Sequence, residues 1–579
     1  MTEKDDSVQK SGKYFESDAG DGTKATDQHI HGIKLVLTLT SSIFSLFIVA
    51  LDQTIVSTLL KEVGDEFKEF LKVNWLNTGF MLPMATLAPS YGKVSIAFGR
   101  KYSVWVGIVI FEIGSLVSAL AKSMNMLIGG RVVQGAGGSL VQSMVLVIVT
   151  ESIPMSKRPL AFALFGITWS VASVLGPFIG GAFTSHVTWR WCFYINLPIG
   201  GLAFLMILFS FNPPKPAGNF KEKLSKIDYI GTFLITSGLV LILLALSFGG
   251  LDFPWKSAAV ICCFVIGGLL VLLFGYYNFR ISKNPIIIKE IITIPKIFAS
   301  CMSATFNFAF FMSIITYLAI YFQVIFNASA WQSGVDLLPF VITVSVSSAL
   351  NGAFMRFTRY VKITMMISAI FGPLGTGLLL LLRKDSPAKD RIGLLIPIGI
   401  SVGLQFQSSL LAAQLEAPAH IEGSIILVTT FLNFAKSTGA TISLAISQLL
   451  LQNTGTAYIK SSIKKLSRES EEYKILHSIS PKTLLQTPSL IHELPEAAKN
   501  IVIDDFMRAL KDVFYFALAC SFVAFVASVF TTNKRIPKHK DVKTSKDEKE
   551  KSSDEEATGE DDSKLFSRIT ENGSDEVRK

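Results

Sequence analysis

The sequence is poor in the residues that build metal centres and hydrolytic active sites. It has five cysteines and seven histidines in 579 residues. The cysteines lie in or beside apolar runs without metal-ligand spacing, which is typical of small buried hydrophobic side chains. The histidines are scattered, and no Ser/His or His/Asp constellation falls within an apolar segment. We therefore expect no metal site, no cofactor and no enzymatic function.

Charge is also scarce. Only 17% of the residues are charged, half are hydrophobic, and the mean hydropathy is +0.47. The net charge of +10 comes mostly from short loops between apolar runs, and no basic helix with interleaved aromatics is present, so we expect no nucleic-acid partner. The phosphate-binding pattern Gly-x-x-x-x-Gly-Lys-Ser/Thr is missing too. Any transport by this chain would therefore have to be driven by an ion gradient or run downhill.

Long uncharged runs are abundant instead. Each is about twenty residues long, which is the length that crosses a bilayer as a helix. The pattern predicts an all-α integral membrane protein in the lipid bilayer with about fourteen transmembrane helices and both chain ends on one side. The predicted spans are roughly 33–60, 74–94, 102–121, 125–150, 160–183, 193–211, 229–249, 257–279, 297–322, 334–355, 363–382, 391–413, 424–450 and 511–531.

The distribution of basic residues predicts the orientation. Alternate short loops are richer in Lys and Arg, and such loops face the cytosol. Both termini are then cytosolic, and the polar segments 1–32 and 532–579 are predicted to be disordered cytosolic tails. One predicted cytosolic loop does not fit, because 414–423 is acidic through Glu416 and Glu422.

Three ionisable residues fall inside predicted spans, where a charge is costly and usually faces a cavity. Asp52 and Glu112 are candidate proton-coupling carboxylates, and Arg131 is a candidate cation that modulates a nearby carboxylate. Structural alternatives stay open for each. Asp52 could pair with a neighbouring Arg for packing, Arg131 could form a structural ion pair, and Glu112 could bond to a backbone or hydroxyl group.

A second set of polar residues lies in the last third of the sequence. Lys436 falls in a predicted span, either near its centre or with its amine reaching toward one end. Gln405, Gln407 and Asn433 could line a cavity, or could simply join helices through amide hydrogen bonds.

Glycine and proline interrupt the predicted fifth span. Gly176 is followed by Pro177, with Gly166, Gly180 and Gly181 nearby. Glycine lets helices approach closely, and proline removes a backbone hydrogen bond. In lipid this is tolerated only where protein or a cavity covers the freed groups. We expect this helix to bend or to seal a cavity as the protein moves.

These segments together resemble the major facilitator superfamily and, within it, the fourteen-span drug:proton antiporters of fungi. The motifs cover about 52–200. They are a first-helix motif at 51–56, a cytosolic loop motif with Gly92, Gly99, Arg100 and Lys101, a fourth-helix motif with Arg131, Gln134, Gly135 and Gly138, an antiporter motif with Gly166, Gly176, Pro177, Gly180 and Gly181, and a stretch at 189–200 before the sixth helix.

The resemblance implies the major facilitator fold, with two six-helix bundles around a central cavity and two extra helices between them. The N-terminal bundle is expected at 33–211, the linker helices with their loops at 212–296, and the C-terminal bundle at 297–531. The last bundle includes a long outer loop at 452–510. The resemblance also implies a monomer that needs no cofactor beyond the proton gradient.

The resemblance further implies a proton-coupled antiporter that exports drugs, dyes or other lipophilic or cationic small molecules from the cytosol. A vacuolar transporter of basic amino acids is an open alternative, so plasma membrane and vacuolar membrane both remain possible. A remoter alternative is a receptor or scaffold that does not transport. Its only support is a departure in the loop motif, where Ile96 replaces the usual acidic residue and Ala97 the usual arginine.

Overall fold

The structure is a computed structural model that describes residues 28–69, 72–73, 75–216, 218–250, 253–486 and 489–537. Within these ranges the chain is helical apart from connections and two isolated β-bridges, which confirms the predicted all-α class. The predictions for the tails at 1–27 and 538–579 lie outside the described residues.

Fourteen long helices run through the described chain, and each corresponds to one predicted span. Thirteen are long and apolar enough to cross a membrane. The exception, α2, has 24 residues but includes two prolines and the polar Asn77, Ser90 and Lys93. The long helices are α1 Gly32–Phe67, α2 Trp75–Phe98, α3 Arg100–Ala119, α4 Met124–Ser152, α5 Arg158–His186, α6 Trp191–Ser210, α7 Tyr229–Phe248, α8 Ala258–Arg280, α9 Pro295–Ile325, α10 Ala330–Thr358, α11 Val361–Leu379, α12 Ala388–Leu415, α13 Ser424–Lys465 and α14 Glu496–Val529.

Short helices lie in the connections, and two of the long helices are interrupted. α6 is broken at Ile195, and α12 is broken at residues 406–407. The short helices are Met155–Lys157, Phe220–Ser225, Lys289–Ile292, Glu471–Ser478, Pro481–Gln486 and Ser489–Glu493.

Polar side chains mark several helix starts. Ser123 accepts a hydrogen bond from the Met126 amide at the start of α4, and Asp228 accepts one from the Gly231 amide at 2.8 Å at the start of α7. Such caps satisfy amides that have no partner in the first helical turn. They place the ends of these apolar helices at the polar connections.

Helices α1 to α6 pack closely at glycines. A Cβ on Gly114 of α3 would lie 2.6 Å from the Gln134 Cα of α4, and a Cβ on Gly135 of α4 would overlap the backbone carbonyl of Phe80 on α2. Only a residue without a side chain permits such close helix contact. Gly114 of α3 and Gly135 of the fourth-helix motif therefore join α2, α3 and α4 into one tightly packed group.

The two helices between the halves pack on each other and on α2. A Cβ on Gly238 of α7 would lie 3.1 Å from the Gly267 carbonyl oxygen of α8. Thr232 of α7 and Ser90 of α2 share a hydrogen bond of 2.9 Å. Most positions of α7 and α8 are not buried within the protein, as suits helices that face lipid.

Helices α13 and α14 extend well past the apolar runs that indicated them. The predicted loop 452–510 is therefore helical at both ends, and the connection spans residues 466–495. Buried apolar residues continue along these extensions, including Ile459, Ile463 and Val502. Their opposite faces are polar, so the hydropathy of the sequence falls although the helix continues.

Both ends of the described chain lie at one end of the bundle, which we call the tail end. The Ile30 amide donates to the Ser152 carbonyl at 3.1 Å, and the Ile536 amide donates to the Arg359 carbonyl at 2.9 Å. The opposite end is called the far end. Helices α5 and α10, and α2 and α13, form the main contacts between α1–α6 (the N-terminal half) and α9–α14 (the C-terminal half).

Candidate functional site

Asp52 of α1 and Arg131 of α4 form an ion pair inside the N-terminal half. Both side chains are fully buried. The Arg131 Nη1 donates to Asp52 Oδ2, and its Nε donates to the Leu76 carbonyl oxygen of α2 at 3.0 Å. The sequence interpretations of a coupling carboxylate, a modulating cation and a structural pair therefore concern a single site.

Two amides and a hydroxyl extend this pair into a network across four helices. Gln134 Nε2 donates to Asp52 Oδ1 at 2.7 Å, and Asn196 Nδ2 of α6 donates to the same oxygen at 3.2 Å. Both amides also donate to Ser115 Oγ of α3, at 2.8 and 3.2 Å. A change in the charge of Asp52 would therefore alter the hydrogen bonds that link α1, α3, α4 and α6.

The network is enclosed by aromatic rings. The Arg131 guanidinium lies 4.3 Å from the ring centroid of Phe80 and 5.8 Å from that of Phe193. Among the described residues, Arg131 Nη2 and Asn196 Oδ1 have no hydrogen-bond partner. Buried polar atoms are normally paired, and the network therefore retains one spare donor and one spare acceptor.

Glu112 lies beside this network but makes none of its hydrogen bonds. It is on α3 one turn before Ser115, and both of its carboxylate oxygens are buried without a hydrogen-bond partner among the described residues. The carboxylate is seated against Gly200 of α6, where an added Cβ would lie 2.8 Å from Glu112 Cδ. A carboxylate in this position is accommodated at lower cost when it carries a proton.

The loop motif between α2 and α3 is anchored to the N-terminal half. Gly99 has a φ of 93°, a conformation that favours glycine. Arg100 donates to both oxygens of Glu151 at the end of α4, at 2.7 and 2.8 Å. Lys101 donates to the Leu208 carbonyl oxygen at 2.8 Å. Sequence reasoning missed Glu151, because it directly follows an apolar run.

The first glycine of that motif contacts the other half. A Cβ on Gly92 of α2 would lie 3.3 Å from the Thr430 Cβ of α13. Ile96 and Ala97, where the sequence departs from the usual pattern, lie on the same helix, and Ala97 is buried. Gly92 therefore belongs to the contact between halves, whereas Arg100 and Lys101 hold the N-terminal half together.

The antiporter motif lies along α5, between α1 and the C-terminal half. A Cβ on Gly176 would lie 2.9 Å from the Ile55 amide nitrogen, and a Cβ on Gly180 would lie 3.1 Å from the Ile55 carbonyl oxygen. Gly166 instead faces Ser348 of α10, and Pro177 and Gly181 are buried within the helix, which runs unbroken through the proline. The helix thus touches the Asp52 helix on one side and the C-terminal half on the other.

Hydrogen bonds between the two halves lie toward the tail end. Asn433 of α13 accepts from Gln142 Nε2 at 3.1 Å and donates to Ser143 Oγ at 3.0 Å, both on α4. Gln414 of α12 donates to Thr150 Oγ1 at 3.1 Å. Toward the far end, an aromatic stack of Phe178 and Trp331 joins α5 to α10.

The remaining sequence candidates lie in the C-terminal half. Gln405 accepts from Asn307 at 3.2 Å and from Ser368 at 2.9 Å, so it joins helices. Gln407 is buried, and its Oε1 has no partner among the described residues. Lys436 is buried between the halves, and its amine donates to the Phe406 carbonyl oxygen at 3.3 Å.

Within the described residues, no group of three or more His, Cys, Asp or Glu side chains is placed to hold a metal ion. Sequence reasoning also missed Ser115 and Asn196, which complete the Asp52 network. A single serine or asparagine in an apolar run carries no signal of its own, because it can equally bond to its own helix.

The chain is similar to known membrane transporters along most of its length. The family model of the Major Facilitator Superfamily matches residues 42–443. Azole resistance protein 1 of Saccharomyces cerevisiae is 34% identical over 89% of this chain and 91% of its own length. Vacuolar basic amino acid transporter 5 of the same yeast is 34% identical over 91% and 96%. Efflux pump aflT of Aspergillus parasiticus is 31% identical over 88% and 97%.

A solved structure supports the fold. The chain aligns with a bacterial homolog of the human lysosomal transporter Spinster, solved in an inward-facing and unoccupied conformation. The TM-score is 0.51 at 12% identity, covering 89% of this chain and all of that one. At this identity the likeness concerns the arrangement of helices alone.

Proposed function

The chain belongs to the Major Facilitator Superfamily, among fungal drug-efflux-like transporters, and from this premise we propose that it is a proton-coupled antiporter that exports small molecules by alternating access. A transporter of this superfamily is a multi-pass membrane protein. The proton coupling, the direction and the cargo are the proposed part. No cofactor enters the proposal, because the proton gradient supplies the energy.

The observation that carries the proposal is the buried Asp52–Arg131 pair. A buried ion pair gives little net stability for its desolvation cost. A carboxylate that one proton can neutralise is therefore better explained as a switch than as a support. Protonation of Asp52 would weaken its attraction to Arg131 and the hydrogen bonds that it accepts from Gln134 and Asn196.

Glu112 is the second candidate for the proton site. Its carboxylate is buried without a hydrogen bond among the described residues and lies one turn from Ser115, which bonds to the Asp52 network. A proton could be held on Glu112 at one stage of the cycle and on Asp52 at another. Separate substitutions of the two carboxylates distinguish these roles.

Helix α5 connects the proposed proton site to the contact between the two halves. Gly176 and Gly180 hold it against α1 close to Asp52, and Ser348 of α10 donates to the Ala163 carbonyl oxygen of α5 at 3.2 Å. A shift of α1 on protonation would thus move the contact between halves. If cargo and proton favour opposite positions of this contact, the two flows are coupled.

The distribution of contacts supports a conformation closed at the tail end, where Asn433 and Gln414 bond across the halves. The basic loops favour a cytosolic tail end with both termini inside. The far end would then face the outside or the vacuolar lumen, from which the proton enters.

For the cargo we propose a lipophilic small molecule, which suits the buried aromatic cluster between the halves. Transport of basic amino acids is the second candidate, because a vacuolar basic amino acid transporter is 34% identical over 91% of the chain. Plasma membrane and vacuolar membrane remain the two proposed locations, and imaging of the tagged protein distinguishes them.

Proteoliposomes with an imposed pH gradient test the proposal. We expect gradient-driven dye uptake by the wild type and at least a tenfold loss in Asp52→Asn or Glu112→Gln, since a lost buried interaction of roughly 1.4 kcal/mol changes an equilibrium tenfold. Asp504→Asn is the matched control, because that carboxylate is half-exposed and pairs with Lys384. Full gradient-driven uptake in both Asp52→Asn and Glu112→Gln would end the proton-site assignment.

A further inference from the structure

One charged side chain lies between the two halves without an ionic partner. Lys436 is 7% exposed, and among the described residues its amine contacts a carbonyl oxygen and two rings but no carboxylate. It is twelve residues into α13, or about 18 Å along the helix at 1.5 Å per residue. Counted from the start of α13, this distance is comparable to half of a bilayer core of about 30 Å.

The amine is held by groups that favour its charged form. Its Nζ lies 4.8 Å from the ring centroids of both Phe308 and Phe406, and it donates to the Phe406 carbonyl oxygen at 3.3 Å. A ring face and a carbonyl oxygen both attract a cation. None of these partners carries a negative charge, so they offset part of the cost of burying an ammonium without neutralising it.

That carbonyl oxygen is free because α12 is broken at residues 406–407. The neighbouring Leu404 carbonyl oxygen is bonded instead by Asn351 Nδ2 of α10 at 2.6 Å. A break in a membrane helix is tolerated where protein or a cavity covers the released groups. Interrupted helices near the midplane are also where transporters bind cargo.

The aromatic cluster around the amine spans both halves. Trp169 of α5, in the N-terminal half, lies 5.5 Å from Phe308 and 6.0 Å from Phe406, measured between ring centroids. Lys436 is one helical turn from Asn433, which bonds to α4. The amine thus sits at the surface along which alternating access must separate the halves.

Charge balance at this place favours an anion. Neither buried carboxylate neutralises Lys436. Asp52 is paired with Arg131, and Glu112 packs between α3 and α6, away from the aromatic cluster. In a medium of low dielectric constant an unpaired ammonium repels a cation and attracts an anion strongly. A flat ring system can stack on the surrounding aromatic side chains.

We propose that Lys436 is the ionic contact of the cargo site and that the cargo is an aromatic or otherwise flat molecule with an anionic group. This inference rests on the proposed function, since it assumes that cargo binds between the halves. Of the two expectations from the sequence, a lipophilic or a cationic cargo, it keeps the first and replaces the second with an anionic group, and it gives the buried lysine a role that packing does not.

Equilibrium binding of two xanthene dyes to the purified full-length protein tests the assignment. Fluorescein is the anionic probe and rhodamine 123 is the cationic probe, and fluorescence anisotropy reports each Kd. We expect the wild type to bind fluorescein at least about tenfold more tightly, because a hydrogen bond to a charged group changes affinity by about one to two powers of ten. Lys436→Met should abolish this preference, and Lys436→Arg should retain it.

The wild-type preference needs no variant, so it can overturn the assignment even if Lys436→Met does not fold. Equal affinity for the two dyes, preference for rhodamine 123, no binding of fluorescein, or an unchanged fluorescein Kd in Lys436→Met would each overturn the assignment. The measurement uses no gradient. It is therefore independent of the uptake assay in which Asp52→Asn tests proton coupling.

Discussion

Asn433 of α13 hydrogen-bonds to Ser143 of α4 at 3.0 Å and joins the two halves of the molecule one turn away from Lys436. The same side chain accepts from Gln142 at 3.1 Å. One amide therefore makes two of the hydrogen bonds described between the halves. Its position on the tail-end side of the aromatic cluster makes it a candidate gate.

Removing this amide should open the tail end. Asn433→Ala deletes two hydrogen bonds, each worth about 1 kcal/mol, so the equilibrium should shift at least about tenfold toward separated halves. Spin labels introduced by Lys157→Cys and Glu422→Cys, both exposed at the tail end, report the distance between halves in a background whose five native cysteines are replaced by serine or alanine. Asn453→Ala, at an exposed position of the same helix, is the control. An unchanged distance distribution in Asn433→Ala would contradict the gate.

Removal of one partner of the buried Arg100–Glu151 pair should destabilise the N-terminal half strongly, because the remaining buried charge loses its counter-charge. Arg100 is 1% exposed and Glu151 is 10% exposed. Loss of one partner from a buried pair costs roughly 3–5 kcal/mol, so Arg100→Ala should lower the unfolding free energy in an SDS titration by this amount. Lys384→Ala removes a pair that is 42% and 50% exposed and should cost less than about 1 kcal/mol. Equal losses of unfolding free energy in Arg100→Ala and Lys384→Ala would contradict this prediction.

The antiporter motif should tolerate no added methyl group on the face of α5 that meets α1. A Cβ on Gly176 would lie 2.9 Å from the Ile55 amide nitrogen, so Gly176→Ala should push the helices apart, destabilise the protein by about 1–3 kcal/mol and reduce uptake. Gly377→Ala is the matched control, because nothing lies within 4 Å of its added Cβ. Wild-type uptake and stability in Gly176→Ala would show that the close contact is dispensable.

The acidic loop 414–423, which did not fit the charge pattern, forms ion pairs with lysines of two other segments. Glu416 follows α12 and pairs with Lys534 at 2.9 Å and with Lys296 at 3.2 Å. Burial by itself would raise the pKa of Glu416, but hydrogen bonds from Thr532 and Lys534 and the charges of both lysines outweigh it and lower the pKa below its ordinary 4.5. The stability that this carboxylate contributes is present above its ordinary pKa.

That stability should therefore be lost as the pH falls through the lowered folded pKa. Hydrogen-exchange protection at residues 531–536, expressed relative to the intrinsic exchange rate at each pH, should stay high from neutral pH down to about the ordinary pKa of 4.5 and fall in more acidic solution. In Glu416→Gln the same amides should be less protected at neutral pH and should lose this acid-induced fall in protection. Identical profiles for the two proteins would show that Glu416 does not anchor the segment.

The sequence predicted much of the fold, because a bilayer imposes a length and an apolar composition on each span. All fourteen predicted spans correspond to long helices. The predicted helix ends were wrong where a helix continues from lipid into water. Helix α13 continues to Lys465 because Ile459 and Ile463 pack inward although the segment is polar overall. Hydropathy detects lipid contact, and an amphipathic extension has little of it.

The site was only partly predictable. Asp52 and Arg131 stood out because charges are rare in spans, but their pairing depends on the packing of α1 against α4. The break of α12 at Phe406 has little local signal, since neither glycine nor proline occurs at 406–407. Asn351 and Lys436 of other helices bond the released carbonyl oxygens, and Ser408 of α12 also donates to the Leu404 carbonyl oxygen.

The most direct test of the central claim is proton release on cargo binding, measured with a pH indicator in weakly buffered detergent solution without any gradient. Whichever of the two xanthene dyes the wild type binds more tightly serves as cargo, at a pH where that dye does not itself titrate. If the Asp52–Arg131 site exchanges proton for cargo, dye binding to the wild type releases protons, and Asp52→Asn binds the dye with little or no release. Full proton release by Asp52→Asn, or none by the wild type while the dye binds, would contradict the account.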